Sequence, residues 1–392
     1  MRARKTYVAA AILAVLGSGC DLVLGLEHRE LFKPDGGGTT GGVSSSSGSS
    51  GSGSGTGGNA STTSSGTGGS SIECVPMAKQ CAGNLPQICD DEGHWQNGMA
   101  CAADVPLCVA GICGVPPSCV GMQPSCGPGG NENCCTSPIL PQGNYNRSND
   151  PLYPATVSSF RLDRFETTVD RFRKFVEGYP GNKPKLGAGQ HPSIAGSGWQ
   201  EVWDVSLPAD QTALKVAVKC GGAPTWTDVP GANENEPMNC LDWYEAFAFC
   251  AWDGARLPTE AEWNYAAAGG AEQRQYPWST PPSSTTIDST YAIYAGAPIA
   301  VVGSTSPKGD GKWGQADLAG NMWEWNLDWY ISPYADSSCN DCAIVSQGDA
   351  VGRVVRGGGG VYDAMHLLSS GRLLDAPQVH AKATGVRCAR MP

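Results

Sequence analysis

Ten of the seventeen cysteines fall in a short stretch: Cys74, Cys81, Cys89, Cys101, Cys108, Cys113, Cys119, Cys126, Cys134 and Cys135. The residues between them include few aliphatics and many Gly and Pro, so the stretch cannot bury a core of ordinary size. Small exported modules with that composition are held by disulfides. The first six cysteines, with Gly93-His94-Trp95 among them, read as one unit, and the group from Cys119 onward reads as a staple at the entry to the downstream domain. A bridge between the adjacent Cys134 and Cys135 would strain the peptide, so each is expected to find a separate partner. Zinc is the competing use of so many thiols, but the stretch has no paired Cys-x-x-Cys knuckles. Spacing leaves the connectivity open.

The N-terminus supports an oxidising compartment. Arg2, Arg4 and Lys5 precede a short apolar run, Val8 to Leu16, and the small residues Gly17-Ser18-Gly19 lead into Cys20. The run is too short for a membrane-spanning helix and reads as a signal peptide over residues 1–19. A cysteine after small residues resembles a bacterial lipoprotein site, with Cys20 lipidated, although Leu16 stands four residues before it where the usual motif has an aliphatic three before. An ordinary secretory signal with an incidental cysteine is the alternative. With Cys20 set aside, sixteen cysteines remain, an even number. Between residues 36 and 71 only Val43, Asn59 and Ala60 are not Gly, Ser or Thr. Such a segment has nothing to bury and is expected to stay disordered, spanning about 30 Å as a flexible coil. Residues 20–71 thus read as a tether. The implied location is the bacterial cell envelope, at the outer membrane or its periplasmic face, with the membrane met through a lipid anchor only.

Charged residues make up 16% of the chain, with 26 basic against 37 acidic. A net charge of −11 without a basic patch argues against nucleic acid as a partner. The cysteine-rich module is assigned to residues 72–136 and a larger domain to residues 137–392, where all the tryptophans but Trp95 lie. In that domain Thr167 and Thr168 precede Val169, Phe172, Phe175 and Val176 at helical spacing. Asp242 with Glu245 starts a second helix, and Thr259 with Glu262 a third that ends at Gly269-Gly270. The remaining apolar runs are short and broken by Gly, Pro, Ser and Asp. The pattern predicts an α+β domain with low regular secondary structure and much ordered loop.

Several fragments of this domain carry a family resemblance. They are the segment from Phe160 to Val169, the segment from Pro237 to Trp243, Gly254 to Ala267, Gly320-Asn321-Met322-Trp323-Glu324-Trp325, Arg356-Gly357-Gly358, and the closing Gly385-Val386-Arg387-Cys388. In this order they resemble the formylglycine-generating enzyme, or sulfatase-modifying factor, family over roughly residues 138–392. The resemblance implies the fold of that family, distantly related to C-type lectins. It also implies a calcium site at Asp317, the carbonyls of Gly320 and Met322, and Glu324, a set of hard oxygen ligands. The alternative is a loop whose carboxylates pair with arginines. The family's Cu(I) is held by two cysteines five residues apart, a soft set suited to that ion. The matching positions here are Tyr362 and Leu367, and no cysteine lies between Cys342 and Cys388, so copper is not expected. Gly359 also stands where the family has a serine.

The resemblance further implies a disulfide between Cys250 and Cys388; among the cysteines that remain, Cys220 with Cys240 and Cys339 with Cys342 are expected as local pairs. A second family bridge would need cysteines where Ala267 and Ser369 stand. His28, His94, His191, His366 and His380 are scattered, with no two at metal-ligand spacing. What remains is a candidate groove around Tyr362, Asp363, His366 and Arg372, read as a binding or interaction surface for an unidentified protein, peptide or glycan. The alternatives are an active oxidase of the family, or another enzyme on this scaffold with a different residue set.

Overall fold

The computed structural model describes residues 73–392. The signal peptide, Cys20 and the tether lie outside the described residues. The cysteine-rich stretch carries five disulfides: Cys74–Cys89, Cys81–Cys108, Cys101–Cys113, Cys119–Cys135 and Cys126–Cys134. The first six cysteines pair among themselves, and the adjacent pair divides between two partners. Strands Lys79–Ala82, Leu85–Cys89 and Trp95–Asn97 form an antiparallel meander. Leu107–Val109 and Ile112–Gly114 form a hairpin, turned by Ala110 and Gly111 at φ 50° and 76°. Two positive φ values in a two-residue turn match the twist of the flanking strands. The side chains buried here are mainly half-cystines, while Met99, Val109 and Ile112 are exposed. Sulfur takes the place of a core.

This module packs onto the larger domain. Asn84 Nδ2 donates to the Met391 carbonyl at 2.9 Å, Ser118 N donates to Asp253 Oδ1 at 2.9 Å, and the Arg161 guanidinium reaches the carbonyls of Cys101 and Ser137. The Cys126–Cys134 bridge is buried with Phe165, Val302 and Ala316, so it staples the entry to the domain.

Beyond it lie four α-helices, three of them at the expected places. Helix α1, Val169–Gly178, is capped by Thr168, whose side chain accepts from Arg171 N, and it buries Val169, Phe172, Phe175 and Val176. Helix α2, Gln211–Ala217, has no counterpart among the expected helices, because it is short and Leu214 is its one buried side chain. Helices α3, Trp243–Trp252, and α4, Glu260–Ala268, each begin in a full capping box, Asp242 with Glu245 and Thr259 with Glu262. Gly269 ends α4 in the left-handed region at φ 64°, which a glycine adopts at little cost. Every residue of α4 is buried, as suits a helix enclosed on all sides.

The central strand, Trp323–Trp329, shows why. All seven of its residues are buried. Its sheet has the order Leu373–Asp375, Arg353–Arg356, Trp323–Trp329, Thr384–Gly385, antiparallel except for the last pairing. Trp323, Trp325 and Leu327 face the main aromatic core, with Trp199, Trp243, Phe247 and Val386. The alternate residues Glu324, Asn326 and Asp328 form a buried polar face. Asp328 accepts from Glu260 N at 2.7 Å, and Glu324 accepts from Trp263 Nε1 at 2.7 Å, so this face positions α4.

Two smaller sheets complete the domain, and much of the rest is ordered loop. Loops leave carbonyls without ladder partners, and buried groups of that kind must be satisfied. Here arginines satisfy them. Arg161, Arg171, Arg353, Arg356, Arg387 and Arg390 are all essentially inaccessible. Arg387 donates to the carbonyls of Asp163, Arg164 and Ala316, and Arg356 to those of Ser369 and Gly371. Arg353 sits 3.7 and 3.9 Å from the ring centroids of Trp243 and Trp329 and donates to Leu327 O. Burial lowers its guanidinium to about 9.

Three disulfides close the domain: Cys250–Cys388, Cys220–Cys240 and Cys339–Cys342. Ser369 Oγ donates to the Ala267 carbonyl at 3.0 Å, so the two positions that lack the second family bridge still meet.

Candidate functional site

The residues at the thiol positions face different surroundings. Tyr362 is half-buried, edge-on to Trp323 with ring centroids 5.4 Å apart, and its ring centroid is 5.1 Å from that of His366. Burial pushes the Tyr362 phenol up. Leu367 is 1% exposed and packs with Tyr276, Ala292 and Ala319. A glycine run, residues 357–360, passes between them. A Cβ on Gly358 would fall 2.6 Å from Leu367 Cδ1, and one on Gly360 2.6 Å from the Ala297 carbonyl. Those contacts, with φ 76° at Gly358, require glycine. Asp363 caps the short turn Ala364–Leu367 and holds His366 Nδ1 at 2.8 Å. The result is a rim of Trp323, Tyr362 and His366, and Trp323 Nε1 has no acceptor among the described residues.

Arg372 does not belong to that rim. Its guanidinium forks onto Glu260, Nε to Oε1 at 2.6 Å and Nη2 to Oε2 at 2.7 Å, and lies between Tyr330 and Tyr334. Glu260 also binds Arg356 at 2.6 Å. Arg372, expected as a groove residue, is bonded to α4 through Glu260.

The carboxylates expected to hold calcium lie behind the glycine run. Gly320 has φ 91°, and a Cβ there would meet the Ile293 carbonyl at 2.4 Å, so the backbone turn needs glycine. The carbonyls of Gly320 and Met322 accept no hydrogen bond among the described residues. Asp317 Oδ2 accepts from Gly303 N at 2.5 Å, and burial raises its carboxyl to about 6. Glu324 is not free. Arg387 Nε reaches its two oxygens at 2.9 and 2.8 Å, Arg387 Nη2 reaches Oε1 at 2.7 Å, and Trp263 takes Oε2. The arginine-paired alternative therefore describes Glu324, whereas Asp317 has no arginine bonded to it among the described residues.

Glu166, which lies in the Phe160–Val169 segment and has no role assigned by its sequence context, joins this cluster. It is fully buried, Oε2 accepts from Asn321 Nδ2 at 2.7 Å, and Oε1 has no donor among the described residues. Burial, then the charges of Asp317 and Glu324, push it well above the usual carboxylate range. Three carboxylates face one guanidinium, so the ionised cluster lacks about two positive charges. The Glu166 oxygen left without a donor is of the hard kind that a divalent cation takes.

Residues 128–392 match the family described as the sulfatase-modifying factor enzyme 1-like domain. The formylglycine-generating enzyme of Thermomonospora curvata is 28% identical over 276 residues, covering 62% of this chain and 85% of that enzyme. The inactive C-alpha-formylglycine-generating enzyme 2 of Bos taurus is 29% identical over 234 residues, covering 51% of this chain and 73% of that protein. Among solved structures, Treponema denticola variable protein 1 aligns with a TM-score of 0.44 at 21% identity, over 66% of this chain and 95% of that one. PvdO from Pseudomonas aeruginosa aligns with a TM-score of 0.46 at 20% identity, over 65% and 93%.

Proposed function

Because the chain belongs to the sulfatase-modifying factor family and has its α+β fold, we propose that its domain is a binding module that does not oxidise cysteine. One observation carries this reading. All sixteen described cysteines are in disulfides, while Tyr362 and Leu367 stand where the copper-binding thiols would be. Neither side chain offers Cu(I) a soft ligand. The relatives of this chain include both a formylglycine-generating enzyme and a protein named as its inactive counterpart. The rim of Trp323, Tyr362 and His366 is the proposed contact surface for a protein, peptide or glycan ligand.

The test is incubation of the whole protein with a cysteine-bearing peptide, with and without Cu(I), beside an active relative. No formylglycine mass change should appear. Its appearance with wild-type protein would overturn the proposal. Tyr362→Cys with Leu367→Cys should not restore the reaction, since Leu367 lies in the core and not on the rim.

Calcium is proposed in the same domain at Asp317, the carbonyls of Gly320 and Met322, and Glu166, with Glu324 shared with Arg387. An ion bound only by the folded chain stabilises it by about 2.7 kcal/mol at 100 times Kd. EDTA should therefore lower the Tm, and Asp317→Asn should abolish that response; a chelation-indifferent wild type would remove calcium. Lipid anchoring through Cys20, on the outside of a bacterial envelope, completes the proposal. A fatty-acid label should enter the wild type and not Cys20→Ser.

A further inference from the structure

The N-terminus of α3 carries a second polar cluster that the binding reading does not use. Asp242, Glu245 and His380 each offer one ligand atom, and these atoms lie within 4.8 Å of one another. Asp242 and Glu245 are buried, at 3% and 1% exposure, and the His380 side chain keeps 28%. The capping box occupies one oxygen of each carboxylate: Asp242 Oδ1 accepts from Glu245 N at 2.8 Å, and Glu245 Oε2 from Asp242 N at 3.2 Å. That leaves Glu245 Oε1 buried without any donor among the described residues. His380 Nε2 lies 3.1 Å from Glu245 Oε2, yet it makes no aligned hydrogen bond.

Glu260, Glu262 and Glu324 are buried carboxylates that are each held by an arginine. Asp242 and Glu245 have no arginine or lysine partner among the described residues. The other titratable group beside them is the Tyr179 phenol, which burial and the carboxylates push upward. The α3 N-terminus disfavours a cation by about half a charge, and two carboxylates outweigh that.

We propose that Asp242, Glu245 and His380 bind a divalent transition-metal ion, with zinc as the best match. One imidazole with two carboxylate oxygens is a three-ligand set of the kind zinc takes, with a fourth position left for water or a ligand atom. Three ligands that include an imidazole suit calcium poorly. The ion would fix a particular loop. Pro377 O accepts from Trp243 N at 3.0 Å, Ala381 O from Cys240 N at 3.3 Å, and Ala383 O from Trp323 N at 2.8 Å. Residues 376–383 thus run from the start of α3 to the Trp323 edge of the rim, and the metal would clamp that loop at His380.

The test uses the whole protein with its disulfides intact, stripped by chelator and titrated with zinc chloride and with cobalt chloride. One ion per chain should bind, Co2+ should develop a visible ligand-field spectrum, and excess Ca2+ should displace neither. Loss of an outer-shell partner alone weakens metal sites about 10–100-fold, so His380→Ala should weaken zinc binding by more than about tenfold, while His94→Ala leaves it unchanged. Asp242→Asn retains an acceptor for the helix cap and should also weaken binding with an unaltered circular dichroism spectrum. Absence of saturable binding, or wild-type affinity in His380→Ala, would overturn the site and leave a histidine–carboxylate ion pair.

Discussion

Residues 73–136 and residues 137–392 both lack long regular elements, and they replace the missing ladders with different bonds. The first region closes its loops with five disulfides over a minimal core. The second has three disulfides in roughly four times the length, and it relies on buried indoles and on arginines that collect loop carbonyls. The two devices act on different states of the chain. A disulfide works mainly by restricting the unfolded ensemble, so it serves a segment too small to bury much surface. A buried guanidinium is favourable only where its donors find acceptors, as all three nitrogens of Arg387 do, and those acceptors are gathered only when the whole domain is in place. The small region should therefore depend on redox state and the large one on packing.

Reduction should separate them most sharply. Brief exposure to a mild reductant followed by chymotrypsin should cut the small region after Trp95 or Leu107, while residues from about 137 onward stay uncut, since Cys250 and Cys388 are fully buried. Simultaneous loss of both regions would break the contrast. Next in size is Arg387→Met, which strands Glu324 beside Glu166 and Asp317. Removing one partner of a buried pair costs about 3–5 kcal/mol, to be read from urea unfolding by tryptophan fluorescence. A cost below about 1 kcal/mol would show that guanidinium forks are not what holds the domain.

The smallest effect is in pH. Burial raises Asp328 to about 7 and Asp375 to about 6, from 3.8. Across that interval the folded chain binds more protons than the unfolded one, so this stability is full near pH 4 and is lost as pH rises through 6 to 7. The Tm should fall over that window, and Asp375→Asn should flatten its lower part. In the small region Asp90 shifts the opposite way, lowered chiefly by the His94 amide. A flat Tm profile in the wild type would remove the distinction.

What could be read from the sequence was local. Thr168, the Asp242–Glu245 and Thr259–Glu262 boxes and Gly269 announce helix ends within a single turn, and the helices lie there. The site was legible only in part. Arg372 was expected to share a groove with Tyr362, and its ion-pair partner Glu260, 112 residues away, was not foreseen. Glu166 meets Asn321 across 155 residues, and His380 meets Glu245 across the whole middle of the domain. The alternation in Trp323–Trp329 is visible, but an alternating strand normally exposes its polar face. Burial of Glu324, Asn326 and Asp328 depends on α4 covering them, which no short window reveals.

The guanidinium forks also bear on where this fold can acquire novelty. Arg387 secures the chain at Asp163, Arg164 and Ala316, and Arg356 secures it at Ser369 and Gly371. A loop pinned at its base by a side chain from elsewhere does not need its own apex for support. Apices such as residues 346–349, which are exposed, can lengthen, shorten or change character with little penalty, while Arg356→Lys would forfeit a planar fork that a single ammonium cannot reproduce. Sequence drift should collect at the apices and stop at the arginines, giving lineages of this domain a stable frame under a freely rewritten surface.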